Sequence, residues 1–452
     1  MSLKTVILAA GKGTRMNSNM PKVLHQIAGK SMLERVIEAG SGFGGEIIVI
    51  YGHGGEEVKR QINDSAITWV EQVEQLGTGH AVQQAESEIE DQDTALILYG
   101  DVPLTNTKTL ERLVDKVNDK VMALLTVTLA NPTGYGRIIR EDNVVKCIVE
   151  QKDANASQLL VQEVNTGILA VNGKQLKKWL SNLQSNNAQG EFYLTDIIEM
   201  AVSDNVVVET VSPDSEYEVM GVNSKRELNV IERYYQRQQA NKLMDEGVTL
   251  ADANRIDIRG ELEIQGQDIF IDVNCVFEGH VKLAAGVQIG ANCVLQDVSI
   301  EENGVVKPNS VLESCSIGKN SSVGPFARIR PGAVLNNDVH IGNFVEVKKT
   351  TIGDGSKISH LSYIGDAEIG ENVNIGAGTI TCNYDGVNKF KTVIEDDVFI
   401  GSDTQLVAPV VVRKGATVGA GTTLTKEAPE GELTLSRSKQ MTLKGWKKPT
   451  KD

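Results

Sequence analysis

Residues 317–347 read IGKNSSVGPFARIRPGAVLNNDVHIGNFVEV, and Ile317, Val323, Ile329, Leu335, Ile341 and Val347 fall at every sixth position. A helix repeats near 3.6 residues and a half-buried strand at 2, so neither accounts for a period of six. A solenoid does: short strands joined by tight turns send one aliphatic residue per face into a common interior. The same beat returns at Ile394, Ile400, Leu406, Val412, Val418 and Leu424. It begins faintly near Ile271 and Ile289, and residues 352–375 keep it with five-residue slips at Ile352 and Ile369. Three hexads complete one triangular turn, so residues eighteen apart stack on neighbouring coils roughly 4.8 Å apart. Residues 381–391 (TCNYDGVNKFK) supply no interior aliphatics at this period. They are expected to leave the coil as a loop, and loops projecting from repeats commonly form sites. The handedness of the coil does not follow from the hexads.

At 452 residues the chain exceeds one domain. The expected organisation is an α/β domain over residues 1–226, a polar helical connector over 227–247, and the solenoid with its tail over 248–452. A net charge of -15 and a pI near 5.0 argue against a nucleic-acid partner. No run approaches the ~20 apolar residues of a membrane span. The start, MSLKTVILAAG, lacks a basic region before a long apolar run and reads as a first strand rather than a signal peptide. The five cysteines form no CxxC pair. Cys275, Cys293 and Cys315 each follow a hexad aliphatic by four residues, where free cysteine serves as a small core residue. A reducing, cytoplasmic setting is the corresponding expectation.

Apolar segments at 5–10, 46–51, 94–99 and 120–128 alternate with amphipathic ones at 33–39 and 107–117, the pattern of a mostly parallel sheet with helical crossovers. Ligands in such sheets bind beyond the carboxyl ends of strands. The first such end is Leu8-Ala9-Ala10-Gly11-Lys12-Gly13-Thr14-Arg15-Met16, followed by Pro21-Lys22. Glycines let backbone N–H groups approach phosphate oxygens, and Lys12, Arg15 and Lys22 add charge. The spacing is neither a Walker A loop nor GxGxxG. A second end is Tyr99-Gly100-Asp101, where a carboxylate can hold Mg²⁺ or cap a turn. Asn223 offers a second oxygen, or an N-cap for the helix after it. Gln72 presents a donor and an acceptor that match the N3–H and O4 edge of uracil, although the residue type alone does not select uracil over another base. Gly77 and Thr78 open a further glycine-rich turn, and Gly136, Glu150 and Asn165 are polar-group positions able to address sugar hydroxyls and an N-acyl group, or are turn and strand-edge residues.

In the solenoid, Arg330 and Lys348 are eighteen apart, each one residue beyond its hexad aliphatic. Stacked like charges repel unless an anion lies over both, which makes them a candidate phosphate clamp. His360, two residues past Ile358, is a candidate general base. The tail carries Arg437, Lys439, Lys444, Lys447, Lys448 and Lys451 against the single acid Asp452, a solvated end or a contact for a phosphate-rich ligand such as coenzyme A.

The string L-x-x-G-x-G-T-x-M-x4-P-K resembles the signature of sugar-1-phosphate nucleotidyltransferases. With the solenoid, essentially the whole chain resembles the bifunctional GlmU family, N-acetylglucosamine-1-phosphate uridyltransferases joined to glucosamine-1-phosphate N-acetyltransferases. The resemblance implies a Rossmann-like, mostly parallel α/β domain followed by a left-handed parallel β-helix, assembled as a homotrimer with acetyl sites between subunits. It implies acetyl transfer from acetyl-CoA to glucosamine-1-phosphate, then uridylyl transfer from UTP with release of pyrophosphate, giving the UDP-N-acetylglucosamine that feeds peptidoglycan and lipopolysaccharide. The implied uridylyl site comprises Leu8, Ala9, Ala10, Gly11, Arg15, Lys22, Gln72, Gly77, Thr78, Tyr99, Gly100, Asp101, Gly136, Glu150, Asn165 and Asn223, with Mg²⁺ on Asp101 and Asn223. The implied sugar-phosphate contacts of the acetyl site are Arg330, Lys348, Tyr363 and Asn374; those of acetyl-CoA are Ala377, Asn383, Tyr384, Ser402, Ala420 and Arg437. His360 is the implied base, Asn383 is expected to orient it, and groups near Ser402 would steady the oxyanion. The alternatives are a single-activity sugar-1-phosphate nucleotidyltransferase with a structural β-helix, or a non-catalytic interaction protein built from the same two modules.

Overall fold

The computed structural model of the chain describes residues 2–450; Met1, Lys451 and Asp452 lie outside the described residues. The chain divides into two compact units, Met1–Tyr235 and Gln236–Asp452, and the division falls within a helix, Lys225–Asp245. The sequence places its connector at 227–247.

The first unit is built on β1 (Leu3–Ala9), β2 (Glu46–Tyr51), β3 (Ile67–Glu71), β4 (Thr94–Tyr99), β5 (Val121–Thr128), β6 (Arg137–Glu141), β7 (Val144–Val149), β8 (Glu163–Asn172) and β9 (Val207–Val211). Their order in the sheet is β9-β5-β8-β4-β1-β2-β3. Pairs β1/β2, β1/β4, β2/β3 and β5/β9 are parallel, whereas β8 runs antiparallel to β4 and β5. The hairpin of β6 and β7 joins the sheet through β8. Near-continuous apolar runs such as residues 94–99 bury both faces, as a helix-covered sheet requires. One face packs Val6, Ile48 and Ile97 with Val82, Trp179 and Ile197; the other packs Ile7, Val49 and Leu98 with Leu33, Val36 and Leu110. Register brings the functional ends together. Leu8 lies opposite Tyr99, Ala9 opposite Tyr51, and Tyr51 opposite Glu71, so the loops carrying Gly11, Asp101 and Gln72 leave from one edge.

The second unit is a parallel coil of two main ladders, one of 11 strands from Thr249–Leu250 to Leu433–Thr434, the other of 13. Val323 pairs with Ile341, eighteen residues on, but Ile341 with Ile358 and Ile358 with Ile375, seventeen on, because the slips at Ile352 and Ile369 each remove one residue. Ile375 then pairs with Ile400, a step of 25 that contains the loop. The hexad aliphatics from Ile317 to Val347 are at most 2% exposed. Each such side chain contributes about 1.5–3 kcal/mol by leaving water, which is how a thin coil holds together.

Thr381 and Cys382 do not leave the coil. They belong to the strand Ile380–Cys382, paired with Gln405–Val407, and the loop starts at Asn383. Thr381 occupies the interior position six after Ile375, where its hydroxyl donates to the Gly365 carbonyl (3.0 Å) and accepts from the Gly365 amide (2.7 Å). A polar residue fits the repeat there because both hydroxyl functions are satisfied. Cys275, Cys293 and Cys315 are buried and unpaired, and burial pushes the thiols of Cys275 and Cys315 up to about 12.

One corner column changes character along the coil. Asn274, Asn292 and Asn309 form an amide ladder (2.9 and 3.2 Å), and the next three positions are Phe326, Phe344 and Leu361. These three are 51%, 55% and 62% exposed, and the two rings stack at 5.4 Å. Each holds a positive φ, 55°, 56° and 49°, a region bulky residues seldom adopt.

Candidate active sites

A cavity of about 250 Å³ opens at the shared strand edge of the first unit, lined by Leu8, Ala9, Ala10, Gly11, Lys22, Gln72, Gly77, Thr78, Tyr99 and Asp101 of the expected set. Val23, Gln75, Ala81 and Glu191 complete it; Gln75 and Ala81 flank the glycine-rich turn at Gly77, and no motif marks Val23 or Glu191. Lys22 is the basic residue of the glycine loop that reaches the cavity; Lys12 and Arg15 are exposed. Its position depends on Gly13, which holds φ 60°, and where a β-carbon would fall 2.7 Å from the Lys22 β-carbon. The Lys22 ammonium pairs with Asp101 and sits 3.0 Å from the Asn223 Oδ1. Two protein oxygens therefore converge on the Lys22 ammonium, a donor set whose chemistry fits a divalent cation. Among the described residues no group of three or more His, Cys, Asp or Glu could cage a metal. Mg²⁺ seldom needs one, because it takes one or two protein oxygens and completes its shell with phosphates and water.

Tyr99 is packed against Gly167, which holds φ 86° and where a β-carbon would lie 2.5 Å from the ring. Burial, then the charges of Asp101 and Glu150, push the Tyr99 phenol well above its ordinary value and keep it a neutral donor. Gly136, Glu150 and Asn165 are neighbours. A β-carbon on Gly136 would lie 3.2 Å from Glu150, and the Asn165 amide donates to the Gly136 carbonyl (2.9 Å). Burial raises the Glu150 carboxyl above the usual range, while a hydrogen bond from Thr195 (3.2 Å) opposes the rise. Gly100 follows β4, its amide donating to the Leu8 carbonyl (3.0 Å).

In the coil, Arg330 lies opposite Lys348, its amide donating to the Val347 carbonyl (2.8 Å) next to the Ile329/Val347 pair. Carboxylates balance the stacked charges: Glu346 accepts from Arg330 at 2.7 Å, and Asp366 lies 3.7 Å from Lys348. Lys389, unforeseen in the sequence, reaches back from the loop, and its hydrogen bond and charge contact with Lys348 hold its ammonium below the ordinary lysine value. Tyr363 adjoins this cluster and its hydroxyl lies over Gly365, where a β-carbon would meet it at 2.4 Å.

His360 ends the strand Lys357–His360 at a corner, three residues before Tyr363 begins the next strand. Asn383 does not orient it. The Asn383 amide donates to Asp366, whereas the His360 Nδ1 meets the Asn343 Oδ1 at 2.7 Å. Asn343 pairs with His360 in register, seventeen residues apart because the slip at Ile352 intervenes. The same column continues through Ala377, Ser402 and Ala420, linked by the pairs Ile358/Ile375, Ile375/Ile400 and Ile400/Val418. Arg437 joins its far end by donating to the Ala420 carbonyl (3.0 Å). Asn374 begins the strand Asn374–Ile375, three residues before the column member Ala377, and Tyr384 is exposed on the loop. Most of the expected residues thus gather as a column running from His360 to Ala420 and, around the corner, a cation cluster.

Residues 5–155 match the family described as the MobA-like NTP transferase domain. Residues 264–352 match the GMPPB C-terminal domain, and 349–382 and 391–426 match the bacterial transferase hexapeptide (six repeats). The chain is 57% identical over 452 residues, 99% of its length and 100% of the other, to a protein of Azoarcus sp. (strain BH72) named "Bifunctional protein GlmU". Among solved structures, a nucleotidyl transferase from Methanothermobacter thermautotroptrophicus is 19% identical, covering 52% of this chain and 99% of that one at a TM-score of 0.39. A UDP-glucose pyrophosphorylase complexed with UDP-glucose is 17% identical, covering 53% and 100% at a TM-score of 0.43.

Proposed function

The chain belongs to the bifunctional GlmU family, and from that membership we propose how each of its two transferase halves works. It is a bifunctional enzyme, a Rossmann-like nucleotidyltransferase domain joined to a left-handed β-helix of hexapeptide repeats. We assign synthesis of UDP-N-acetylglucosamine to it, with uridylyl transfer in residues 1–226 and acetyl transfer in 248–452.

In the first half the phosphate oxygen of N-acetylglucosamine-1-phosphate attacks the α-phosphorus of UTP, and the bond to pyrophosphate breaks. The nucleophile is already an anion, so alignment and charge neutralisation suffice. The glycine loop holds the triphosphate, Lys22 in the cavity and Arg15 from the exposed side of the same loop neutralise the leaving pyrophosphate, and Glu150 and Asn165 address the sugar. Asp101 and Asn223 would hold Mg²⁺, whose charge would stabilise the phosphates. The convergence of Asp101, Asn223 and Lys22 at the cavity supports this assignment.

In the second half His360 removes a proton from the attacking 2-amino group of glucosamine-1-phosphate. Nitrogen bonds to the acetyl carbon, the C–S bond breaks, and the proton passes to the coenzyme A thiolate. The acceptor at Nδ1, Asn343, leaves Nε2 as the base. Arg330, Lys348 and Lys389 hold the phosphate, Tyr363 and Asn374 the sugar, and the column beyond His360 the coenzyme. The column from Asn343 through His360 to Ala420 carries this half of the proposal. The apolar corner formed by Phe326, Phe344 and Leu361 directly follows Asn343 and His360 in sequence, and it supports self-association as a homotrimer that closes the acetyl site. Buried unpaired cysteines suit a reducing cytoplasm, and among the described residues no helix is long and apolar enough to cross a membrane.

Two assays on the purified chain test the assignment. Free thiol should appear from acetyl-CoA plus glucosamine-1-phosphate, and pyrophosphate from UTP, Mg²⁺ and N-acetylglucosamine-1-phosphate. Pyrophosphate without thiol would leave a single-activity nucleotidyltransferase. Phe344→Asp should lower the oligomeric state in light scattering; an unchanged mass would place the subunit contact elsewhere.

A further inference from the structure

We propose that His80, together with the Gly77 carbonyl, selects the base of the nucleotide by holding the NH₂ end of the Gln72 amide so that its oxygen faces the cavity. This rests on the assignment of uridylyl transfer to the first half. Gln72 follows β3 and is 3% exposed, its backbone anchored by donation to the Tyr51 carbonyl (2.8 Å). Its Nε2 lies 3.2 Å from the Gly77 carbonyl and 3.1 Å from the Nδ1 of His80. A carbonyl can only accept, so the group facing Gly77 must be the NH₂. Its second hydrogen then points at Nδ1, which must carry a lone pair, and the imidazole proton sits on Nε2. Both amide hydrogens are spent on the protein. The Oε1, which has no partner among the described residues, is left to the cavity.

A glutamine is ordinarily ambivalent, and here the surroundings make it an acceptor alone. Uracil offers N3–H at the edge that meets it, whereas cytosine offers a bare N3 lone pair. The arrangement pairs with the first base and opposes the second. Turning the amide over to suit cytosine would set Oε1 against the Gly77 carbonyl and strip His80 of its donor.

One neighbour keeps the ring in place. Phe192 lies 6.3 Å from it at 32°, on a segment pinned by hydrogen bonds between Phe192 and both Leu76 and Gly79 (2.8 Å each). On the far side the Gln84 NH₂ donates to the His80 carbonyl at 3.0 Å and lies 3.2 Å from Nε2, where a protonated Nε2 meets it donor to donor and gains no bond. A neutral imidazole has one lone-pair nitrogen. The buried Gln72 claims it, because the half-buried Gln84 already has the carbonyl as acceptor. His80 is therefore a positioning residue, one step behind the residue that reads the base.

The test compares kcat/KM for UTP and CTP in the wild type, His80→Phe and His80→Asn, with thiol release by the acetyl half as the control for folding. Phenylalanine keeps the ring and removes the acceptor, so the UTP/CTP ratio should fall about tenfold, the effect of one hydrogen bond. KM for UTP should rise, and KM for N-acetylglucosamine-1-phosphate should stay within twofold. Asparagine replaces the acceptor near the Nδ1 position and should hold the ratio within threefold of wild type. An unchanged ratio in His80→Phe, or the same loss in both variants, overturns the role of His80. A wild type that does not prefer UTP to CTP overturns the uridylyl assignment itself.

Discussion

Truncating Asn343 to alanine removes the acceptor that decides which nitrogen of His360 is the base. The Asn343 Oδ1 lies 2.7 Å from Nδ1, so a neutral imidazole places its proton there and its lone pair on Nε2. As the ring takes a proton from the attacking amine, this hydrogen bond becomes charge-assisted, and such bonds contribute about 1.5–3 kcal/mol. His360 is exposed in the single chain, which favours the lower half of that range. About 1.5–2 kcal/mol corresponds to a fall of roughly 10- to 30-fold in kcat. The loss belongs in kcat, because Asn343 touches the base and not the bound phosphate. The assay is thiol release from acetyl-CoA across a range of glucosamine-1-phosphate concentrations, with pyrophosphate release as the internal control. Asn343→Asp keeps an acceptor at Nδ1 and should retain most of the rate. A fall confined to KM, or an equal loss in the aspartate variant, would refute the tautomer argument and leave Asn343 as a packing residue.

Three further outcomes follow from the geometry. Ile341→Ala, at a fully buried hexad position, should destabilise the coil by about 2–5 kcal/mol in urea unfolding, and a cost below 1 kcal/mol would mean the coil relaxes around the void. Lys389→Ala should raise KM for glucosamine-1-phosphate by roughly 3- to 10-fold with little change in kcat, whereas an unchanged KM would remove Lys389 from the phosphate cluster. Burial, with the charges of Glu199, Glu150 and Asp153, pushes the Asp196 carboxyl up to about 6. The folded chain therefore holds that proton more tightly than the unfolded one, and stability falls as pH rises from about 4 to 6. Asp196→Asn should accordingly raise the melting temperature at pH 7.5 and leave it unchanged at pH 4; the same shift at both would assign the effect to packing.

The coil was legible because a period of six reports burial directly, and a one-residue error would turn Ile329 or Ile341 outward. Arg330 and Lys348 were placed correctly opposite each other because no slip lies between Ile329 and Val347. His360 was harder. Its neighbour stands seventeen residues back, across the slip at Ile352, and counting through that slip would have led to Asn343. Asn383 begins a loop, where no periodicity constrains direction, so the sequence points it at His360 rather than Asp366 and does not mark Lys389. Thr381 was misread as a loop residue because a polar side chain hides its place in the repeat until its partner, the Gly365 backbone, is known. In the first unit the glycine loop and Asp101 were visible as strand ends. The pairing of Lys22 with Asp101 and Asn223 was not, since it joins segments 79 and 201 residues apart.

The claim on which all of this depends is that one chain carries two chemically independent transferase centres. The direct test is to measure thiol release and pyrophosphate release side by side in His360→Ala and Asp101→Ala. The expected result is a double dissociation: His360→Ala loses acetyl transfer and keeps uridylyl transfer, and Asp101→Ala does the reverse. Loss of both activities in either folded variant, or survival of acetyl transfer without His360, would contradict it.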